Sequence, residues 1–190
     1  MDLVTATTTI DLAKHPDAMA GVLQGLIDEA AIRNLAALYA MAVDDHDIER
    51  VLDCYTDDGT FTRAGSTERG KQELRAFFVK MMDRYVTTLH TPHSHVIALN
   101  DRDSATGLTT GHAELSLEGT LMMAAYRYDD AYSRVGGRWM FQSRSLSFMY
   151  IVPVQDMSSA FADRLRIRWP QLPYAAADFP EKLSTWTSYR

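Results

Sequence analysis

The stretch SATGLTTGHAELSLEG, residues 104–119, decides the fold, because its second half alternates apolar and polar side chains. Ala113, Leu115 and Leu117 lie on one side of an extended chain, with the polar residues between them on the other. This period of two predicts a strand with one buried face. Further runs at residues 120–134 and 139–150 are separated by Gly136-Gly137, a pair that favours a tight hairpin because glycine accepts positive φ. The sequence from about residue 90 therefore predicts a long antiparallel meander.

The chain before the meander has a helical period instead. From Leu26 to Asp44, apolar residues recur every three or four positions. Asp47 is the expected N-cap of a short second helix, which the turn Asp57 to Gly59 ends before a short strand, TFT. A third helix is indicated by Leu74, Phe77, Phe78, Met81 and Tyr85. Helices followed by a meander predict the α+β class, with the helices packed on one face of a curved sheet.

Length and composition favour a soluble globular domain. The chain has 190 residues, of which 46% are hydrophobic, and 25 acidic against 19 basic residues give a net charge of -6, which disfavours a nucleic-acid partner. The single cysteine, Cys54, excludes an intrachain disulfide and a cysteine-rich zinc site. We find no signal-peptide pattern and no apolar run of about 20 residues. The expectation is a cytoplasmic protein that does not bind membranes.

We divide the chain into three parts. Residues 1–20 are expected to form an N-terminal arm, residues 21–150 the α+β domain, and residues 151–190 a C-terminal helix and tail. The tail contains Trp169, Tyr174, Phe179 and Trp186 but is too short to form a core alone. It is therefore expected to cover the mouth of a pocket or to pack on a neighbouring subunit.

Three of the six histidines, His90, His93 and His95, lie close together in LHTPHSHVIAL, residues 89–99. Because side chains alternate along a strand, His93 and His95 are expected on one face and His90 on the other, unless the strand is bulged. One interpretation is a zinc or iron site made of His93, His95 and His112. Another is that each imidazole is hydrogen-bonded or exposed on the sheet surface.

A third interpretation pairs His90 with a carboxylate from the helical half. Asp44 lies where the first helix ends and a polar segment begins. Imidazole is well matched to proton transfer near neutral pH, and a nearby carboxylate fixes its tautomer and stabilises the imidazolium. A buried Asp44 needs such a partner because an unpaired buried charge is costly.

Four segments, residues 29–61, 69–78, 89–107 and 126–144, together resemble the SnoaL-like branch of the nuclear transport factor 2-like superfamily. The relatives include scytalone dehydratase, hexachlorocyclohexane dehydrochlorinase and polyketide cyclases. The resemblance implies a cone-shaped barrel, in which a strongly curved mixed or antiparallel sheet wraps around the N-terminal helices and encloses a pocket. Because relatives form dimers and trimers, it also implies a homo-oligomer.

The resemblance also implies site residues. The aspartate and histidine that form the catalytic pair of the dehydratase and the dehydrochlorinase correspond to Asp44 and His90. The family's usual asparagine is Ser94 here, so His93 stays a competitor for the base. A further histidine of the dehydratase corresponds to His112, which is therefore expected to act in catalysis. The implied activity is that of a lyase or isomerase that needs no cofactor and no metal.

The substrate is expected to be a small hydrophobic molecule, aromatic, polycyclic or terpenoid. The expected contacts are His93, the helical tyrosines Tyr39 and Tyr55, and Met123 and Tyr126 from the run LMMAAY, since methionine adapts to irregular ligands. Three alternatives stay open because a fold does not fix a function. They are a non-catalytic ligand-binding or assembly module, a metal enzyme using His93, His95 and His112, and a hydrolase in which Asp44 activates water.

Overall fold

A computed structural model describes residues 18–189 of the chain. The elements in chain order are α1 (Met19–Asp44), α2 (Ile48–Asp53), β1 (Tyr55–Arg63), β2 (Ser66–Arg69), α3 (Gly70–Met82), β3 (Tyr85–Leu99), β4 (Ser104–Leu117), β5 (Thr120–Val135), β6 (Arg138–Pro153), α4 (Met157–Phe161) and α5 (Ser184–Tyr189). Most of the expected N-terminal arm, residues 1–17, lies outside the described residues, whereas residues 19 and 20 belong to α1.

The six strands form one open, mixed sheet in the order β2-β1-β6-β5-β4-β3. Strands β3 to β6 are an antiparallel meander, and β1 pairs in parallel with β6. Register shifts interrupt the pairing in β1, β3 and β5, and such irregularities bend strands and increase their twist. Helix α1 packs against β3 and β6, and α3 packs against β1. The predicted α+β class and curved, cone-like sheet are confirmed.

The main core lies between the helices and the concave face of the sheet. It contains buried residues of α1 and α3 together with alternate residues of the strands, among them Ile32, Leu74, Leu117 and Phe141. A second, smaller cluster lies on the opposite face, where Tyr150 and Val152 of β6 pack with Ala160 of α4. The C-terminal segment therefore covers part of the convex face.

Turn and cap predictions are confirmed in two places. Gly136 and Gly137 join β5 to β6 with φ values of 57° and 81°, which only glycine adopts without strain. The side chain of Asp47 accepts a hydrogen bond of 3.0 Å from the backbone N–H of Arg50, as expected for an N-cap of α2.

The predicted end of the second helix is wrong. The helix ends at Asp53, and Asp57 to Gly59 lie inside β1 instead of closing the helix. The reason is a tertiary contact, since fully buried Tyr55 pairs with Phe141 of β6 and the irregular DDG segment forms the register shift that follows. Tyr85 likewise begins β3 and is not part of the third helix.

None of the helices in residues 18–189 is long and apolar enough to span a membrane. The last part of the chain returns to the sheet, where Ile167 bridges Ile151 of β6 and then Ala175. Buried Arg166 pairs with Glu181 at 2.7 Å and thereby ties the two ends of this segment together.

Candidate active site

A largely apolar cavity lies between α1, α3 and the concave face of the sheet. The non-atom space in and in front of it is about 690 Å³, a figure that includes open solvent at the mouth. The lining residues are Tyr39, Val43, His46, Phe61, Arg63, Phe77, Phe78, Met81, Met82, Tyr85, Thr88, His90, Ala113, Leu115, Ala124, Tyr126, Tyr128, Leu146, Phe148 and Trp169. Aromatic rings and methionines form most of this surface, and a few polar groups are interspersed among them.

Asp44 and His90 meet at one side of this cavity. Nδ1 of His90 lies 2.7 Å from Oδ1 of Asp44, and the backbone N–H of His90 donates to Oδ2 at 2.8 Å. The hydroxyl of Thr88 also donates to Oδ1 of Asp44 at 2.8 Å. The two side chains are 17% and 15% exposed, so the pair is mostly withdrawn from water. The structure thus brings together the aspartate and histidine named from the sequence.

The contact also fixes the imidazole tautomer. A carboxylate only accepts hydrogen bonds, so Nδ1 of His90 carries the proton, and Nε2 of the neutral ring is left with a lone pair. Among residues 18–189, no group hydrogen-bonds to this Nε2. His90 is therefore arranged as a base whose free nitrogen can accept a proton in the cavity.

Asp44 is ionised in this setting. Burial alone would raise the pKa of its carboxyl group, but the hydrogen bonds from the ring and backbone of His90 and from Thr88 outweigh burial and lower the pKa. An ionised Asp44 keeps the proton on Nδ1 and stabilises the imidazolium that forms when Nε2 accepts a second proton.

Local sequence explains how the pair is placed. Asp44 is the last residue of α1, and α1 packs against β3. Thr88 and His90 are two positions apart on β3 and so point to the same side, toward the helix. Opposite His90 on β4 lies Ala113, whose small side chain leaves space in the cavity.

The strand after His90 is bulged, which corrects the predicted faces of the other histidines. The register shifts between Pro92 and His95, so that the extra residue reverses the alternation. His95 consequently faces the concave side, as His90 does, whereas His93 faces outward. The prediction that His93 and His95 share a face is wrong for this reason.

His93 and His112 form a pair on the outer face of the sheet. Nε2 of His93 lies 2.6 Å from Nδ1 of His112, and neither ring lines the cavity. This position does not fit a role for His112 in catalysis or for His93 in base or substrate contact. In residues 18–189, no three His, Cys, Asp or Glu side chains are arranged to hold a metal ion, so the proposed grouping of His93, His95 and His112 is not formed.

His95 instead joins a buried polar network beneath the cavity. Its Nε2 lies 2.9 Å from the hydroxyl of Tyr132, and that hydroxyl donates to Asp130 at 2.9 Å. Asp130 forms two hydrogen bonds of 2.8 Å with Arg144, which is 1% exposed and stacks on the rings of Tyr39, Tyr128 and Phe141. Burial lowers the pKa of His95 to about 4, so this ring is neutral.

Two of the four expected tyrosine and methionine contacts lie in the cavity. Tyr39 and Tyr126 line it, and the ring centroid of Tyr126 is 6.1 Å from that of His90. Tyr55 is fully buried behind Tyr39 and is not part of the lining. Met123 lies on the opposite face in the smaller cluster, because strand alternation turns it away from Met122 in the main core. The expected substrate contacts of Tyr55 and Met123 are corrected accordingly.

Several lining residues were not identified from the sequence. Arg63, the last residue of β1, is one of them. Trp169 reaches the cavity from the C-terminal segment, which the sequence analysis expected to cover the mouth of a pocket or to pack on a neighbouring subunit. Exposed His46, which follows α1 with a φ of 56°, lies at the cavity edge. The position of Thr88 could have been predicted, since it lies two positions from His90 on the same strand and therefore on the same face.

Comparison with known proteins found solved structures of similar fold. No curated protein sequence matches the chain with significance. A solved type 2 hexachlorocyclohexane dehydrochlorinase (LinA) is similar with a TM-score of 0.66 and 20% identity, over 79% of this chain and 99% of that one. A type 3 LinA from Novosphingobium barchaimii LL02 gives 0.65 and 20%, over 70% and 93%.

A third similar structure, provisionally named scytalone dehydratase, comes from Novosphingobium aromaticivorans DSM 12444. Its TM-score is 0.66 at 16% identity, over 70% of this chain and 91% of that one. The TM-scores show that these structures share the fold of this chain. Residues 24–145 match the SnoaL-like domain, which is more than half of the chain. The protein therefore belongs to the SnoaL-like domain family.

Proposed function

We propose that the protein is a cofactor-independent lyase or isomerase that acts on a small hydrophobic molecule, with His90 as the general base and Asp44 as its positioning partner. The observation that carries this proposal is the 2.7 Å contact between Nδ1 of His90 and Asp44 at the wall of an apolar cavity. A positioned base of this kind contributes about 100- to 10,000-fold to a rate.

In the proposed reaction, Nε2 of His90 removes a proton from a carbon of the substrate. The electrons of that C–H bond form a carbon–carbon double bond, and a leaving group on the adjacent carbon departs with its bonding electrons. In an isomerase, the proton returns to another carbon instead. The names of the similar structures, dehydrochlorinase and dehydratase, describe eliminations and agree with this chemistry.

Tyr126 is the proposed hydrogen-bond donor to the developing negative charge. Its ring is buried and near that of His90, and burial raises the pKa of its hydroxyl, so that the hydroxyl stays protonated. Tyr39 also lines the cavity, and burial raises the pKa of its hydroxyl well above the ordinary value. Protonated donors in a water-poor cavity stabilise an oxyanion more than they would in water.

Proton abstraction can be tested with 2-tetralone, a flat bicyclic ketone with an acidic C–H group. In D₂O, the wild type should accelerate exchange of the C1 protons, followed by proton NMR. His90→Gln should lower the catalysed rate about 100-fold or more. His93→Gln is the matched control, because His93 lies on the same strand outside the cavity, and it should retain the wild-type rate.

Elimination can be examined in parallel with hexachlorocyclohexane and scytalone, the compounds in the names of the similar structures. Binding of 2-tetralone without any exchange above the buffer rate would contradict the proposal and favour a ligand-binding module of the same fold. Equal loss of rate in the His90 and His93 variants would contradict the assignment of the base.

We also propose that the chain forms a homo-oligomer. The outer side of α1 exposes the large apolar side chains of Leu23, Leu26, Ile27, Leu38 and Met41. Exposed apolar area of this kind is typical of subunit contacts. Light scattering coupled to size exclusion should give a mass above 21.4 kDa, the mass of one chain, and a mass of one chain would contradict the proposal.

A further inference from the structure

Arg63 is a positively charged group in the wall of the apolar cavity, and it lacks a carboxylate partner. It is half-buried at the end of β1. Within residues 18–189, no Asp or Glu lies at ion-pairing distance from its guanidinium, and the one hydrogen bond that it donates goes to Sδ of Met81 at 3.3 Å. Arg134 and Arg144, by contrast, have carboxylate partners.

This arrangement leaves N–H groups of the guanidinium available to a ligand. A guanidinium has five N–H donors, and a thioether sulfur is only a weak acceptor. Desolvating a charge without a compensating partner is costly. Burial lowers the pKa of Arg63 from its ordinary value, yet an arginine in a protein keeps its charge. The cavity therefore offers a charged donor group without a carboxylate partner to a ligand that occupies it.

Trp169 holds the guanidinium in place. The centre of the Arg63 guanidinium lies 5.0 Å from the centroid of the Trp169 ring, and Trp169 in turn packs edge-on against Phe148 at 6.1 Å. Stacking on an aromatic ring restricts the planar group while its N–H groups stay available at the edges. A restrained guanidinium loses less entropy when it binds a planar anion with two parallel hydrogen bonds.

Arg63 and His90 reach the cavity from different parts of the sheet. β1 and β3 are separated by β6, β5 and β4, which is roughly 19 Å along the sheet at about 4.8 Å per step and less across the curved interior. The rings of Phe61, Tyr128 and other lining residues fill the wall between them. The cavity thus has a base on one side and a cation on the other, with an apolar body between.

We propose that Arg63 binds a carboxylate of the substrate, so that the substrate is a hydrophobic acid whose charged end is held by Arg63 and whose reacting carbon lies at His90. The placement of the reacting carbon at His90 rests on the proposed function, whereas the binding of a carboxylate by Arg63 does not. The carboxylate takes part in no bond making or breaking. It fixes the position of the molecule in the cavity.

Calorimetric titration with two matched probes, naphthalene-2-carboxylate and naphthalene-2-carboxamide, tests the charged subsite without requiring turnover. The wild type should bind the carboxylate at least about tenfold more tightly than the amide, since charge-assisted hydrogen bonds are stronger than neutral ones. Arg63→Met should abolish this preference and leave the affinity for the amide within about twofold. Arg63→Lys should retain only part of the preference, because lysine keeps the charge but lacks the planar group that donates two parallel hydrogen bonds.

Arg75→Met is the matched control, since Arg75 pairs with Glu49 on the surface and does not line the cavity. It should retain the full preference. Equal affinities of the two probes for the wild type, absence of binding by both, or a preference that persists in Arg63→Met or Arg63→Gln would each overturn the proposal. Equal wild-type affinities overturn the proposal without any variant, and Arg63→Gln and Arg63→Lys assign the preference to Arg63 if Arg63→Met does not fold.

The same titration on His90→Gln separates the two proposals. His90 is not expected to contact the carboxylate, so this variant should keep the wild-type preference for the acid. If exchange of 2-tetralone fails but the preference stands, the proposed catalysis is wrong and the anion subsite remains. If exchange occurs and the preference is missing, the catalysis stands and the subsite is wrong.

Discussion

Asp44 contacts His90 through both the ring and the main chain of the histidine. One carboxylate oxygen is 2.7 Å from Nδ1, and the other accepts the backbone N–H at 2.8 Å. The first contact sets the tautomer, and the second ties the end of α1 to β3. Orientation of the imidazole and attachment of the helix to the sheet therefore depend on the same side chain.

The tautomer of His90 can be measured directly. In the wild type, ¹⁵N NMR of histidine-labelled protein should show the proton of the neutral ring on Nδ1. Asp44→Asn should introduce a population with the proton on Nε2, because an asparagine amide can donate to Nδ1. Asp45→Asn, a change in the exposed neighbouring acid, should leave the spectrum of His90 unchanged. An identical His90 spectrum in wild type and Asp44→Asn would contradict the coupling.

Stability should fall between pH 7 and pH 5 because of His95. Burial lowers its pKa from 6.5 to about 4 in the folded state, so in this interval the unfolded chain binds a proton that the folded chain does not. The free energy of unfolding therefore decreases as the pH falls, by about 2 kcal/mol over these two pH units. Chemical unfolding of wild type and His95→Gln at both pH values isolates this contribution. A pH dependence unchanged by the substitution would refute it.

Gly111 should not tolerate a side chain. A Cβ at this position would lie 2.8 Å from the carbonyl oxygen of Thr91 and would also overlap the hydroxyl of Tyr126. Gly111→Ala is expected to cost about 1–3 kcal/mol and to displace Tyr126, which lowers ligand affinity as well as the melting temperature. Gly21→Ala is the matched control, because nothing lies within 4 Å of a Cβ there. Equal melting temperatures of the two variants would show that the site relaxes freely.

Replacing one partner of the buried pair Asp130–Arg144 should destabilise the protein far more than replacing one partner of a surface pair. Arg144→Met leaves the carboxylate of Asp130 buried without its cation, which is expected to lower the free energy of unfolding by about 3–5 kcal/mol. Adding Asp130→Leu should recover part of that loss, since the uncompensated charge is removed. Lys182→Met breaks an exposed pair with Asp178 and should cost no more than about 1 kcal/mol. Urea unfolding compares the four proteins, and a loss in Arg144→Met as small as in Lys182→Met would contradict this reasoning.

Local patterns in the sequence were sufficient for most of the fold. The alternation around Ala113 and the Gly136-Gly137 turn identified the meander because strand pairing and hairpins depend on neighbouring residues. The end of α2 was misplaced because contacts with distant Phe141 draw Tyr55 into a strand. Local propensity contains no information about such a contact.

The site was less accessible to prediction. The pairing of Asp44 with His90, which lie 46 positions apart, was one of three open interpretations of the residues, and the family resemblance singled it out. The alternation of β4 already placed His112 on the side opposite buried Ala113, so its exclusion from the cavity could have been read directly. Arg63 had no local signal, since only the return of the C-terminal segment brings Trp169 beside it.

The bulge between Pro92 and His95 has a consequence for how this strand can change. His93 and His95 are only two positions apart, yet their environments differ. His93 is exposed on the outer face, whereas His95 contacts the hydroxyl of buried Tyr132. Deleting one residue of the bulge would exchange the inward and outward roles of every side chain on one end of the strand. Insertion or deletion of a single residue in this strand is therefore a drastic mutation.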